Sequence, residues 1–433
     1  MIGIAADDIT GAGDIGIMYA KAGYAAHIYS FSYDTDVTGE ETYPHLEDAD
    51  IVILDTDSRF DTPETAYAKV FAATKRLRRQ GCTQYFNKTC SVFRGNIGAE
   101  FDAMLDALDE SFAVVVLGFP KNGRTTKSGI HYVHGKKLEE SEFRHDPVHP
   151  MTRSDLSGIL QRQTSRHVAE LHQPVIDQGA EALRRAIAEM KTKCQYLILD
   201  VADQASLRTI AQAVHDERVI CGSSALSEEL AALRAETEPP LARPPELPPR
   251  SEAGIFIAAG SLMPQTAAQV ADMKASGAHV TELDSMKLLN PAERAHLLAS
   301  LKEEAANRIR SGETFVVHSS NEPGQVNETK EAGRQLGLTN TDVSRLVSGS
   351  LAELTAGVLA ATGQRRAIVA GGDTSAAVCA RLGVKGMRIV GEIEAGLPSC
   401  LTFGEEPILL VLKSGSFGKP DFFRKAIDHL RNL

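Results

Sequence analysis

The chain has 433 residues, more than one compact core accommodates, and its 43% hydrophobic and 24% charged content is that of a soluble globular protein with at least two domains. A net charge of −11 and a pI of about 5.7 exclude a polyanion such as nucleic acid as a general partner, yet leave room for one basic pocket that holds a small anion. No apolar run approaches the ~18 residues that span a membrane. Met1 to Asp8 has no basic segment, so no signal peptide is expected, and the six cysteines are scattered as reduced thiols of a cytoplasmic protein would be.

Residues 2–6 read as a strand that stops at Asp7-Asp8, followed by a short helix over 15–22. Two carboxylates at one strand tip repel each other unless a cation, an amine or a hydroxyl relieves them; the plainer role for either is a helix cap. Residues 51–54 form a second strand, tipped by Asp55-Thr56-Asp57-Ser58-Arg59. The helix after it has Thr62 as N-cap and Pro63 at its first position. Arg59 offers a bidentate fork to a carboxylate, or a structural pair to Asp55 or Asp57. Residues 84–86 begin a third strand, whose tip carries Lys88, Ser91, Arg94 and Asn96, a set suited to a small hydroxylated anion. Cys90 has no companion His, which favours a packed thiol over a nucleophile. Residues 113–117 are a central strand by their continuous apolar run. The segment 129–172 is polar and holds His131, His134, His145, His149, His167 and His172 without ligand spacing, so it reads as a lid or a dimer arm and the metal ligands stay unassigned. Strands at 196–200 and 219–221, with helices over 206–214 and 226–233, complete this half.

Six of the fifteen residues 236–250 are proline, a composition that behaves as a semi-rigid spacer. The expected division is a domain over 1–235, a Pro-rich spacer over 236–252 and a domain over 253–433. The second half opens with a strand at 254–259 tipped by Gly260-Ser261. Helices over 264–275 and from Pro291 to near Gly312 follow, then a strand at 314–317 tipped by His318 to Asn321, and a helix over 350–362. The strand ending at Ala370 leads into Gly371-Gly372-Asp373-Thr374, with Thr374 or Ser375 as helix cap. The last strand, 408–412, ends in Lys413-Ser414-Gly415-Ser416-Phe417-Gly418. Glycine lets another group approach the backbone, and the N–H groups of a helix start suit a phosphate. Each tip alone is equally a tight turn, but the recurrence of Gly/Ser/Thr tips points to a nucleotide. Neither a P-loop nor a dinucleotide fingerprint is present.

Alternating strands and helices imply an α/β fold with largely parallel sheets in both halves, ligands sitting beyond the carboxyl ends of the strands. Charged tips in one half and glycine tips in the other are a kinase-like division. Asp7-Asp8-Ile9-Thr10-Gly11-Ala12, Asp57-Ser58-Arg59, Arg94-Gly95-Asn96-Ile97-Gly98, Gly371-Gly372-Asp373-Thr374 and Lys413 to Gly418 together resemble the four-carbon acid sugar kinase family over nearly the whole chain. Its members include threonate, erythronate and 3-oxo-tetronate kinases.

The resemblance implies two domains facing each other across a cleft, the N-terminal one sugar-acid-binding and the C-terminal one nucleotide-binding, and ATP-dependent phosphorylation of the terminal hydroxyl of a four-carbon sugar acid. It implies that Asp8, Arg59 and the loop with Lys88, Ser91 and Arg94 contact the acid, and that Ser261, Gly371, Gly372, Asp373, Thr374 and Gly415, with Ser416 in the same tip, contact ATP. The mechanism expected on these grounds has Arg59, helped by Lys88 or Arg94, on the carboxylate and Asp8 on the accepting hydroxyl. Asp373 competes as base or as a group placing Mg2+, and the glycine tips with Lys413 cradle the phosphates. Many members read Lys-x-Asp-Ser-Thr-x-Arg-Gly where this chain reads Lys88-Thr89-Cys90-Ser91-Val92-Phe93-Arg94-Gly95. The pocket thus loses a charge at Cys90 and a donor at Val92, which bears on the substrate rather than on the reaction. The competing readings are a kinase of a branched sugar acid, a non-catalytic sugar-acid or nucleotide sensor, and an NAD(P)-linked dehydrogenase. A cytoplasmic enzyme with a small-molecule substrate, no nucleic-acid or membrane partner and a homodimer as an admissible assembly is the expectation.

Overall fold

The computed structural model describes residues 1–31, 43–146, 148–240, 244–320 and 322–433; Pro147, Asn321 and residues 241–243 of the Pro-rich spacer lie outside them. The chain divides into two units, Met1–Arg243 and Pro244–Leu433.

In the first unit the strands are β1 (Ile2–Ala6), β2 (Ala26–Ser30), β3 (Ile51–Asp55), β4 (Gln84–Lys88), β5 (Ala113–Val116), β6 (Arg124–Lys127), β7 (Ile130–Val133), β8 (Lys136–Lys137), β9 (Val168–Leu171), β10 (Tyr196–Leu199) and β11 (Val219–Gly222). The main sheet has the order β2-β3-β1-β4-β11-β5-β10-β9, every neighbour parallel. Its central strands are apolar on both faces because helices cover both, and all four residues of β5 are fully buried. The remaining strands, β6-β7-β8, form a small antiparallel sheet that leads into and occupies the start of the histidine-rich segment.

The second unit holds β12 (Phe256–Ala259), β13 (His279–Leu283), β14 (Phe315–Ser319), β15 (Arg366–Ala370), β16 (Gly386–Glu394), β17 (Leu397–Thr402) and β18 (Leu409–Lys413). Their order is β13-β14-β12-β15-β18-β17-β16, parallel as far as β18 and antiparallel beyond it. The α/β architecture with largely parallel sheets is therefore as the alternation of elements requires. Among the described residues no helix is long and apolar enough to cross a membrane.

Several boundaries differ from the sequence reading for local reasons. The first helix begins at Ile9 rather than 15, because the Asp8 side chain accepts from the Gly11 N–H and starts it there. The helix expected over 350–362 spans Asn340–Thr362, started by a capping box between Thr339 and Asp342. The helix Gly372–Arg381 is entered through Gly371 with no side-chain cap, so neither Thr374 nor Ser375 caps it; both are buried inside its first turns. The helix Ala225–Thr237 runs into the first two residues assigned to the spacer.

Candidate active site

In the first unit β3, β1 and β4 lie side by side, with Ala6 level with both Asp55 and Lys88. This register brings the tips after Ala6, Asp55 and Lys88 to one end of the sheet. Two acids follow β1, and Arg59, from the tip of β3, closes on both. Its Nε and Nη2 donate to the two carboxylate oxygens of Asp7 at 2.8 Å each, and Nη1 donates to Asp8 Oδ2 at 2.5 Å. The fork expected to lie open for a substrate carboxylate is thus occupied by the chain's own acids, and the structural partners are Asp7 and Asp8, not Asp55 or Asp57. All three side chains are buried, so the pairing relieves the repulsion that two carboxylates at one tip create.

Asp8 also accepts from Gly11 N at 2.7 Å and Thr10 Oγ1 at 2.9 Å. Burial alone would raise its pKa, but the charges of Arg59 and Lys88 and these two bonds outweigh burial and hold the carboxyl below its usual range. Asp8 is therefore an ionised acceptor at neutral pH, and a helix cap as well. A Cβ on Gly11 would lie 3.0 Å from Lys88 Nζ, so glycine is what lets that ammonium approach the helix start. Lys88 Nζ donates to the Thr89 carbonyl at 3.0 Å and stands 3.5 Å from Asp14 Oδ2. Burial pushes Asp14 up to about 6, against the pull of Lys88.

The loop after β4 packs on the same place. A Cβ on Gly95 would meet Arg59 Cγ at 3.1 Å. Arg94 donates from Nε to Cys90 Sγ at 3.3 Å and from Nη1 to Asp146 Oδ2 at 2.6 Å, with its guanidinium 5.3 Å from the centre of the Phe143 ring. Burial raises the Cys90 thiol, and the charges of Arg94 and Arg59 overcome it and pull the thiol down. Ser91 is buried, with its carbonyl accepting from His131 Nε2 at 2.9 Å. Asn96 does not face this pocket with its amide: Nδ2 donates to the carbonyls of Ser58 and Asp61 at 3.0 and 2.9 Å and so fixes the β3 tip.

Sequence reasoning did not single out Asp14, Glu100, Asp146 or His149. Glu100 accepts from Ser58 Oγ at 2.8 Å and is pushed well above the usual carboxylate range by burial and by Asp7. Asp14 and Glu100 left a signal, being acids on buried helix faces. Asp146 and His149 were visible only as members of the histidine-rich segment, since their contacts depend on how that segment folds back.

In the second unit β12, β15 and β18 are adjacent, with Ala259 level with Ala370 and Ala370 with Lys413. Three tips meet there. Gly260 N donates to the Ala370 carbonyl at 3.0 Å, and Gly371 N to the Lys413 carbonyl at 2.8 Å. A Cβ on Gly415 would stand 2.0 Å from Ser261 Oγ, and one on Gly260 would stand 2.1 Å from Thr374 Oγ1. Gly371 has φ +121°, which excludes a side chain on conformational grounds too. Gly372 then opens a helix that no side chain caps, with Asp373 exposed in its first turn and within 3.3 Å of Ser344 Oγ. Ser416 is buried in the third tip.

Lys413 corrects the sequence reading. It is fully buried, and Nζ donates to Thr266 Oγ1 and to the carbonyls of Ser414, Gly415 and Phe417 at 2.8 to 3.2 Å. Burial lowers its pKa to about 7. With Gln269, which donates to the Phe417 and Lys419 carbonyls at 3.1 Å, it shapes the loop from within and does not face a phosphate.

Comparison with known proteins matches both halves of the chain to known families. Residues 2–230 match the family described as Sugar-binding N-terminal domain, and residues 256–423 the one described as Nucleotide-binding C-terminal domain. A 3-oxo-tetronate kinase of Pseudomonas fluorescens is 34% identical over 446 residues, covering 99% of this chain and 97% of that protein. A 3-oxo-tetronate kinase of Pseudomonas savastanoi pv. phaseolicola is 32% identical over 435 residues, with the same coverage. Among solved structures, a Salmonella typhimurium LT2 protein described as a tRNA synthase superposes with a TM-score of 0.80 at 28% identity, covering 98% of each chain.

Proposed function

The chain belongs to the four-carbon acid sugar kinase family, and from that premise we propose that it transfers the γ-phosphoryl group of ATP to the terminal hydroxyl of a four-carbon sugar acid, with 3-oxo-tetronate as the acceptor its named relatives favour. The observation that carries the reading is the pair of strand-tip clusters in one chain: buried carboxylates threaded with cations in one unit, converging glycines and hydroxyls beside an uncapped helix start in the other.

Asp8 accepts the hydrogen bond of the attacking hydroxyl and orients it. The hydroxyl oxygen forms the new bond to phosphorus, the bond from phosphorus to the β,γ-bridging oxygen breaks, ADP leaves, and the hydroxyl proton passes to Asp8. Held low by Arg59 and Lys88, Asp8 is a weak base. That suffices where the transition state is loose and the proton departs late. Arg59 keeps Asp7 and Asp8 in register, Lys88 adds positive charge at the same helix start, and Ser91 and Arg94 line the acid's side.

In the second unit the main-chain N–H groups of Gly371 to Thr374, with Ser261, Gly415 and Ser416, receive the phosphates, since the glycines there leave room that any Cβ would fill. Mg2+ fits the exposed carboxylate of Asp373 in the first turn of that helix, where it would neutralise phosphate charge. ADP release with Mg-ATP and a panel of D- and L-threonate, D- and L-erythronate and their 3-oxo forms tests the proposal. Strong turnover with a four-carbon acid supports it. Binding of ATP with no turnover of any acid would favour a sensor instead.

A further inference from the structure

The described residues of 124–155 form an arm held on one side by Asp200 and Val201 and reaching on the other to the sugar-acid cluster. Fully buried His131 reaches the Ser91 carbonyl with Nε2, so that nitrogen carries the proton and Nδ1, 3.1 Å from Thr126 Oγ1, accepts the threonine's. His149 stacks on Phe60, ring centres 5.6 Å apart, and its Nε2 donates to the Arg59 carbonyl at 2.9 Å. Asp146 grips Arg94 at 2.6 Å with Oδ2, while its Oδ1 accepts from the main-chain N–H groups of Val148 and His149 at 3.1 and 2.8 Å. Phe143 lies against the Arg94 guanidinium. One insert thus braces three residues of one site.

The charges of that site are unequally committed. Arg59 is closed on Asp7 and Asp8, and Lys88 is turned to Asp14 and Thr89. Arg94 is bonded through Nε and Nη1, and its Nη2 edge has no partner among the described residues. Its side chain is 13% exposed, against 8% for Arg59 and 3% for Lys88, so it is the cation of the three most accessible to an anion.

We propose that Asp146, carried by this arm, is a positioning residue that aims the free edge of Arg94 at the carboxylate of the acceptor, and that the arm thereby sets the preference for a sugar acid over a neutral polyol. The inference rests on the sugar-acid kinase reading and assigns the carboxylate to Arg94 rather than to Arg59. Losing the charge of Asp146 lets the guanidinium swing, which weakens recognition of the anion and leaves the accepting hydroxyl at Asp8 untouched.

The test compares the wild type with Asp146→Asn, Asp146→Glu, Arg94→Ala and the Arg94→Ala/Asp146→Asn pair, on the best tetronate and on the tetritol of the same configuration, with melting temperatures recorded. Asp146→Asn is expected to raise KM for the acid about tenfold or more, as loss of a buried charge partner does, with kcat and the KM for ATP within about twofold. The tetritol kinetics should stay unchanged, Asp146→Glu should restore much of the loss, and Asp146→Asn should add less than about twofold on the Arg94→Ala background. Equal losses on acid and tetritol, or additive effects in the pair, would overturn the inference while the kinase reading stands. If Asp146→Asn melts too low to assay, the acid-to-tetritol ratio of Arg94→Ala decides, an unchanged ratio counting against the inference. A wild type that phosphorylates no sugar acid removes the parent reading and this inference with it.

Discussion

Arg59 donates three hydrogen bonds to two buried carboxylates, so its truncation leaves both without their cation. Arg59→Ala strands Asp7 and Asp8 without a partner. Breaking a buried pair in this way costs about 3–5 kcal/mol. The variant is expected to lose sugar-acid turnover and stability together while still binding ATP, measured by calorimetric titration; sugar-acid kinetics like those of the wild type would contradict it. His131 gives a pH-dependent prediction. Burial, with the nearby Arg124 charge, lowers its pKa from 6.5 to about 3. Below pH 6.5 the unfolded imidazole takes up a proton and the folded one does not, so its contribution is complete above 6.5 and is lost as pH falls towards 3. The loss amounts to about 1.4 kcal/mol per pH unit. Asp14, raised to about 6 by burial, acts with the opposite sign between 3.8 and 6, so total stability is a poor readout. The melting-temperature gap between wild type and His131→Gln isolates it: the gap should narrow from pH 7 to 4.5, and a constant gap would contradict the assignment.

At the scale of elements, parallel register is what converts scattered motifs into clusters. Ala6, Asp55 and Lys88 are level in one sheet, and Ala259, Ala370 and Lys413 in the other, so tips far apart in sequence become neighbours. The glycines of the second cluster give a prediction at this scale. Gly415→Ala places a Cβ 2.0 Å from Ser261 Oγ and is expected to raise the KM for ATP at least tenfold, on the order of what a backbone shift of this kind costs, with the acid KM unchanged. Adding Ser261→Gly removes the obstructing atoms and should recover part of the loss. No change in the ATP KM of Gly415→Ala would place the nucleotide elsewhere. These tips were legible in the sequence because strand propensity, glycine and the helix that follows are all local. The antiparallel β16-β17 pair and the small β6-β7-β8 sheet were not: β17 carries Pro398 early in a fully buried run, and β6, β7 and β8 are 4, 4 and 2 residues long, too short for an alternating pattern. Lys413 misled for a similar reason: a lysine at a strand tip looks solvent-directed, and only the tertiary fold shows Thr266 and three carbonyls surrounding its ammonium.

For the whole molecule, composition and net charge set the expectation of a small-molecule ligand, and the order of motifs along the chain pointed to the family that the full-length similarity bears out. The pairings inside the acid cluster stayed out of reach of the sequence, since nothing local says that Arg59 turns to Asp7 and Asp8 while Arg94 turns to Asp146. If each unit carries its own ligand, nucleotide binding should be separable from acid binding: ATP titrated into Arg59→Ala should give the wild-type Kd within about twofold, the additivity expected of sites that share no partner. A Kd weakened tenfold would contradict that separation. The central claim is phosphorylation of a four-carbon sugar acid, and the most direct measurement is ADP release from the full-length protein with Mg-ATP and 3-oxo-tetronate, alongside threonate and erythronate of both configurations. The account predicts strong turnover with one of these acids, well above ATP hydrolysis in its absence. ADP release unaffected by every acid, in a protein that binds ATP, would contradict it.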